Sequence, residues 1–560
     1  MKFHFFIFFL ASGFFVNCGS GHNFVVPSKP PDDQKPVPIP EAREVNLAKD
    51  NVEKILTGTL ISILDLSCHY RKISGNSKQA MNVDAFDEVY NSSWFTNRNA
   101  AKEMSLEKIA RGPDTGAGPD TSGIWTIFRA KTQGVTPGFS IEDSRGERYV
   151  IKFDPIGYPE MSTGAEIVST KLFYAAGYNV PENYICYFHP KILRLGEGVT
   201  VKDLEGKKRL MNQKDLDDIL NRVQKLPDGI IRVTASKYLA GKPIGSYKYG
   251  DVRKDDGNDV IPHQHRRELR GLRVMAAWLN HYDTKANNSL DVYLNEGYVR
   301  HYLIDFGSTL GSQGDEPMPP EIGREGIADP DKVVKSIGSF GTYTRPWEET
   351  PKIKYPSIGY FVSKNFNPHK YRYILPNPAF NNATGRDLYW GAKLVMSFSD
   401  EQIRKAVEQG RYSDPEAAEY LVKTLIERRD IIGKYYFNSL PPLDGFQISK
   451  TDDGSSRLCF LDLAVVTGLE SKDDTHYKFE LKIHNKSVLK EKTLDSSCVH
   501  LTELPAGDKI PENDSNTSLW QINLQLDRNK SGEWTKPVKI FLERNNISSE
   551  FRLLGIIRED

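Results

Sequence analysis

His281-Tyr282-Asp283-Thr284-Lys285-Ala286-Asn287-Asn288, and after it Leu303-Ile304-Asp305-Phe306-Gly307, are the stretches on which the reading of this chain turns. An apolar lead-in (Val274, Met275, Ala276, Ala277, Trp278, Leu279) delivers the first carboxylate, and the strand-like run Tyr302-Leu303-Ile304 delivers the second. Both acids therefore stand at the ends of buried elements, a costly place for a charge unless chemistry or a partner explains it. Together the two stretches make a site for metal-bound nucleotide. Phosphoryl transfer needs one carboxylate to accept the proton of an attacking hydroxyl, and oxygen ligands to hold Mg²⁺ against the phosphates.

Upstream of the pair the pattern is that of a sheet. Trp125-Thr126-Ile127-Phe128-Arg129-Ala130, Gly138-Phe139-Ser140-Ile141-Glu142 and Arg148-Tyr149-Val150-Ile151-Lys152-Phe153 are three short runs. Gly134-Val135-Thr136-Pro137-Gly138 and Asp143-Ser144-Arg145-Gly146 separate them, with the turn chemistry of a meander. Lys152 lies among apolar neighbours and is expensive there without an anion; a phosphate plus one carboxylate would supply it, although a solvent-facing strand lysine reads equally well from this segment alone. A helix is expected over 163–176, stopped by Gly177. Glu166 on that helix can reach Lys152, but Thr163-Gly164-Ala165-Glu166 also reads as a capping box, the better reading of that segment by itself. A strand at Tyr184-Ile185-Cys186-Tyr187-Phe188 follows, and Ala235-Ser236-Lys237-Tyr238-Leu239-Ala240 runs into the connector Gly241-Lys242-Pro243.

This ordered set resembles the protein-kinase-like fold: strand, Gly-containing turn, two strands with Lys152, helix with Glu166, connector, His-x-Asp-x-Lys-x-x-Asn, Asp-Phe-Gly. In detail it is most similar to the atypical HipA-like kinases, with the secreted Fam20 and CotH kinases as more distant relatives; Leu279-Asn280-His281-Tyr282-Asp283 through Asn288-Ser289 is similar to the HipA catalytic loop. The motifs cover residues 123–310, with a helical remainder to about 440. The resemblance implies that Asp283 is the catalytic base and that Lys285 neutralises charge on the transferred phosphate. It implies Asn288 and Asp305 as metal ligands, Lys152 as the contact to the α- and β-phosphates, Glu166 as the group that orients Lys152, and the turn at Gly134 and Gly138 as the cover over the phosphates. ATP with Mg²⁺ or Mn²⁺ is the implied cofactor set. Asn287 beside Asn288 leaves a one-residue ambiguity that spacing settles for Asn288.

The departures are equally specific. Residues 133–138 lack Gly-x-Gly-x-x-Gly spacing, Tyr282 stands where His-Arg-Asp has arginine, and no Ala-Pro-Glu follows Asp305. Regulation through activation-loop phosphorylation is therefore not implied. Residues 311–366, rich in Pro and Gly, read as an ordered substrate loop or a long insertion.

At 560 residues the chain exceeds a single core. With 74 basic and 74 acidic residues, its zero net charge gives no reason to expect nucleic acid. The first eighteen residues, with Lys2 ahead of an apolar run from Phe3 to Val16, have the character of an export signal. Asn17-Cys18-Gly19-Ser20 looks like a lipoprotein processing site, which makes Cys18 the lipidated N-terminus; an ordinary cleaved signal is the competing reading. The expected organisation is a lipoprotein signal peptide (1–18), a Pro-rich tether that does not pack (19–45), an N-terminal helical extension (46–122) with Val52, Ile55, Leu56, Leu60, Ile63 and Leu64 at helical spacing, a kinase-like N-lobe (123–245) and C-lobe (246–444), and a β-sandwich domain (445–560).

In the C-lobe, Ser413-Asp414-Pro415-Glu416 reads as a capping box opening a helix whose stripe is Ala417, Tyr420, Leu421, Thr424 and Leu425. Beyond Pro441-Pro442 the period falls to two: Tyr477, Phe479, Leu481 and Ile483, then Trp520, Ile522, Leu524 and Leu526, then Val538, Ile540 and Leu542. Cys459 and Cys498 fall in this domain and can pair in an exported protein, whereas Cys68 and Cys186 read as buried thiols. The fold class is thus α+β: a bilobal protein-kinase-like domain followed by a small antiparallel, Ig-like β-sandwich. The expected function is a membrane-anchored, exported, kinase-like phosphotransferase whose acceptor, protein or small molecule, is unidentified. The alternatives are a catalytically degenerate kinase-fold surface lipoprotein and an AMP-transferring enzyme.

Overall fold

The computed structural model describes residues 24–43, 70–71, 74, 77–130, 138–202, 207–324, 335, 337–340, 342–344, 347, 352–373, 375, 377–505 and 516–559. Cys18, Cys68, Gly134 and the helix expected at Val52–Leu64 lie outside them.

Strands β1 (Trp125–Ala130), β2 (Gly138–Glu142) and β3 (Arg148–Phe153) form an antiparallel meander at the residues that alternation and turn chemistry mark. Helix α1 (Met161–Ala176), β4 (Asn183–Phe188), β5 (Leu193–Leu195), a hairpin of β6 (Thr200–Lys202) and β7 (Lys208–Leu210), and β8 (Ile231–Lys237) follow. The resulting six-stranded sheet has the order β4-β8-β3-β2-β1-β5, with β5 parallel to β1. Its inward residues, among them Trp125, Ile127, Phe139, Tyr149, Phe153, Ile231 and Val233, make one core.

Helix α1 corrects the capping box expected at Thr163–Glu166. The helix starts two residues earlier, at Met161, behind Glu160 in left-handed geometry (φ 69°) and without a side-chain cap. Thr163 is claimed instead by Asp154, which accepts from its backbone N–H (2.9 Å) and its hydroxyl (2.7 Å). Glu166 then lies a full turn inside the helix, with its carboxylate free to turn toward the sheet. Gly177 ends the helix at φ 125°, where a Cβ would collide with Phe95.

A second, larger core gathers around α2 (Arg267–Leu279), α3 (Gly385–Met396), α4 (Asp400–Glu408) and α5 (Pro415–Ser439). Every residue from Val274 to Leu279 is buried, so the apolar lead-in to Asp283 is a core helix. Helices α2 and α3 approach closely at paired glycines: a Cβ on Gly271 would stand 2.7 Å from the Trp390 ring, and one on Gly391 2.6 Å from the Gly271 carbonyl. Helix α5 is capped by Asp414, which accepts from the Glu416 N–H (2.9 Å) ahead of Pro415. The capping box expected from Ser413 does not form, because Asp414 occupies the cap position and Glu416 falls one residue short of the return bond. The stripe itself is buried, with Tyr420 at its edge.

A small sheet of β9 (Lys242–Pro243), β10 (Ser289–Tyr293) and β11 (Val299–Leu303) carries the two decisive stretches. The C-terminal part is two antiparallel sheets, of three strands (Leu443–Lys450, Ser456–Asp462, Cys498–His500) and of five (Thr475–Ile483, Lys486–Leu494, Thr517–Arg528, Val538–Asn545, Phe551–Arg558). They share one core around Leu458, Phe479, Trp520 and Ile540, and Cys459 and Cys498 are disulfide-bonded across two neighbouring strands. Cys186 is a buried free thiol.

The Pro-rich segment is not a free tether over residues 24–43. Val37 donates to the Gly297 carbonyl (2.8 Å) and Arg43 to that of Ile244 (3.1 Å). Buried Asp33 accepts from the N–H (3.0 Å) and hydroxyl (2.7 Å) of Ser93, and Phe24 stacks on Phe541 of the C-terminal part at 4.3 Å. An extended prolyl backbone leaves its non-proline N–H groups unspent, and here they pair with carbonyls of the folded body. Among the described residues no helix is long and apolar enough to cross a membrane.

Candidate active site

Lys152 is directly opposite Gly138 across β2 and β3. Its ammonium donates to Glu166 Oε2 at 2.9 Å and to Asp305 Oδ1 at 2.7 Å. Burial alone would depress the lysine pKa; the two carboxylates outweigh it and hold the pKa above the ordinary value, so the side chain is a fixed cation. The other Glu166 oxygen accepts from the Phe306 N–H at 3.1 Å and from the Asn183 amide at 3.4 Å. One glutamate thereby ties the lysine strand, helix α1 and the Asp-Phe-Gly turn together.

Asp305 and Asn288 meet through strand register. Ser289 pairs with Leu303, and just beyond the ladder Ile304 donates to the Asn288 carbonyl at 3.0 Å. Asn288 precedes β10 and Asp305 follows β11, so the hairpin brings the two positions to the same end of the sheet. Asp305 has φ 67°, a left-handed conformation that aspartate tolerates better than most residues. The turn then passes so near α1 that a Cβ on Gly307 would sit 2.9 Å from Ser162 Oγ.

The third segment leaves helix α2 at Asn280 (φ 52°), and the His281 N–H returns to the Ala276 carbonyl at 2.8 Å. The His281 ring lies between Phe173 and Phe306, each at 5.8 Å, and burial lowers its pKa, leaving a neutral packing group. Asp283 follows, with Oδ1 2.9 Å from the Lys285 ammonium and Oδ2 accepting from the Asn288 amide at 3.0 Å. That amide also donates to the Asp283 carbonyl at 2.9 Å, so of the two neighbouring asparagines Asn288 is the one hydrogen-bonded to Asp283.

Six of the residues named from sequence therefore converge: Lys152, Glu166 and Asp305 in one group, Asp283, Lys285 and Asn288 in the other, joined by the bond between Ile304 and Asn288. Gly138 lies beside Lys152, while Gly134 is outside the described residues. Asp283 and Asp305 keep 22% and 44% of their side chains exposed, so both acids are accessible. Asn183, whose amide donates to Glu166 and, at 2.7 Å, to Thr170 Oγ1, carried no signal in the sequence.

The donor set suits a hard cation. A carboxylate on Asp305 and an amide oxygen on Asn288 are the few protein oxygens that Mg²⁺ or Mn²⁺ takes when phosphates complete its shell. Among the described residues no cluster of three or more His, Cys, Asp or Glu forms a self-sufficient metal cage.

No family model and no curated protein matches this chain. Solved structures similar to parts of it include two of a Golgi casein kinase. The Golgi casein kinase aligns at 10% identity over 60% of this chain and 74% of its own, with a TM-score of 0.30. The same kinase with Mn and ADP bound aligns at 9% identity over 73% of this chain and 92% of its own, with a TM-score of 0.31. At this overlap the functional reading rests on the side-chain geometry.

Proposed function

We propose that this chain is an atypical kinase-type phosphotransferase that uses ATP with Mg²⁺ or Mn²⁺. In this reading the six-stranded sheet and the helical body are the two lobes of a kinase-like domain, followed by an Ig-like sandwich. The supporting observation is the pairing of Lys152, Glu166 and Asp305, and of Asp283, Lys285 and Asn288, from separate segments, with both aspartates reaching solvent. A scaffold has no physical need for two solvent-reaching carboxylates beside a cation already paired by a buried glutamate.

Lys152, oriented by Glu166, binds the α- and β-phosphates. A divalent cation held by Asp305 and Asn288 supplies charge neutralisation for the phosphate chain. Asp283 accepts the proton of the acceptor hydroxyl; the freed oxygen bonds to the γ-phosphorus as its bond to the β–γ bridging oxygen breaks, and ADP leaves with that electron pair. Lys285, 2.9 Å from Asp283, offsets negative charge on the group in transit. Cys18 lipidation after export places the enzyme at a membrane surface.

Nucleotide binding with and without Mg²⁺ tests the assignment. Lys152→Met lowers ATP affinity in both conditions, and Asp305→Ala removes only the Mg²⁺-dependent part. Wild-type binding by both variants, with and without the metal, rejects the site.

A further inference from the structure

Next to Asn280, where helix α2 ends, lies a cavity of about 210 Å³. Asn280, three residues before Asp283, forms one wall, and the chain that follows Asp305 forms another, bringing in Arg324. Asn280 is tied to that chain through Met318 Sδ, at 2.8 Å from its amide. Tyr371, also in the wall, stands close enough to Tyr282 and Asp283 for their charges to act on its hydroxyl.

Among the described residues the charged side chains lining this cavity are of one sign, Arg324, Lys335, Lys370 and Arg428, in a chain whose acids and bases balance. Arg428 is the most telling. Seven arginines are buried among the described residues: 232, 253, 266, 267, 270, 428 and 558. Six have a carboxylate within ion-pair reach, from Asp154 beside Arg232 to Asp444 beside Arg558. Arg428 has none; it donates to the carbonyls of Ala277 (2.5 Å) and Val362 (2.8 Å) and lies against the rings of Phe366 (3.8 Å) and Phe361 (4.6 Å). Its Nε and the buried Tyr371 hydroxyl make no hydrogen bond. Burial, with Arg324 adding to it, presses the Arg428 pKa down to about 9, as for a cation short of a counter-charge. A buried guanidinium without an anion is unfavourable, and a bound anion repays its desolvation.

We infer that this cavity is the acceptor-side subsite and takes a ring bearing a carboxylate or phosphate. The anion meets Arg428, with Lys370 beside it, and the ring lies among the aromatic side chains. The subsite role rests on the phosphotransferase reading; the anion site itself does not.

Titration of the full chain with phenyl phosphate, benzoate and neutral phenol, followed by calorimetry, tests it. Phenyl phosphate or benzoate binds at least tenfold tighter than phenol, and which of the two is tighter distinguishes a phosphate from a carboxylate ligand. Lys370→Glu combined with Arg324→Glu, both at solvent-reaching positions, weakens the anion at least tenfold with an unchanged melting temperature. Asp305→Ala leaves this binding intact, so loss of nucleotide binding and loss of anion binding are separate results. Phenol binding as tightly as the anions, or anion binding indifferent to the double charge reversal, overturns the inference. Selective anion binding in a protein that never binds MgATP overturns the acceptor role and leaves the anion site standing.

Discussion

The two ends of helix α2 carry the same kinds of residue in opposite physical situations. At its start Arg267 and Arg270 hold Asp387 at 3.0 and 2.8 Å, and Arg267 also holds Asp87 at 2.7 Å. The side chains of Arg267, Arg270 and Asp387 have no exposure at all. Past its other end, Asp283 and Lys285, with Asp305 beside them, are also paired, yet each acid reaches solvent. A closed network repays its desolvation internally and fixes how α2 and α3 pack; an open one leaves charge available to an incoming ligand. Exposure of the paired acid, more than pairing itself, separates framework from site here.

The largest expected effect is at the closed end. Asp387→Ala strands the buried Arg270 guanidinium and takes one of two carboxylates from Arg267, and should cost about 3–5 kcal/mol of stability, read from urea denaturation. At the open end Asp305→Ala should lower nucleotide-dependent transfer about a hundred- to a thousandfold, while the unfolding midpoint moves little because the carboxylate is half in water. An Asp305→Ala protein that unfolds as readily as Asp387→Ala would erase the distinction.

Acid sharpens the comparison further. Burial works to raise the Asp87 pKa, but Arg267 and Arg386 outweigh it and hold the carboxyl at about 2, below the unfolded value of 3.8. Its contribution is therefore fully present above about pH 4 and is lost as pH falls toward 2, a change of roughly 2 kcal/mol. Asp87→Asn should flatten that stretch of the stability–pH curve. Smallest is Glu166→Gln, which keeps the hydrogen bond to Phe306 and loses only the charge on Lys152; about a tenfold fall in transfer with unchanged Mg²⁺ dependence is expected.

Much of this was legible in the sequence where one local rule operates. The strands β1 to β3 announced themselves through alternation and Gly-containing turns, and of the residues singled out by motif, Lys152 pairs with Glu166 and Asp305, and Asn288 bonds Asp283. What escaped depends on partners distant along the chain. The start of α1 was misplaced because Thr163 caps nothing and answers instead to Asp154, just past the end of β3. The three residues of β5, parallel to β1, are too few to show a period. The prolines of residues 24–43 suggested a segment with nothing to bind, and only the fold brings Gly297, Ile244 and Ser93 alongside. Arg428 sits three residues after Leu425 on a helix correctly read as core, and nothing in its sequence neighbourhood says that it lacks a counter-ion.

The central claim is most directly tested by incubating the full chain with Mg²⁺ and ATP labelled separately at the α and γ positions. The account predicts that the γ label alone becomes covalently attached to protein or added acceptor, and that Asp305→Ala lowers this about a hundred- to a thousandfold; covalent α label, or no transfer of either, would contradict it.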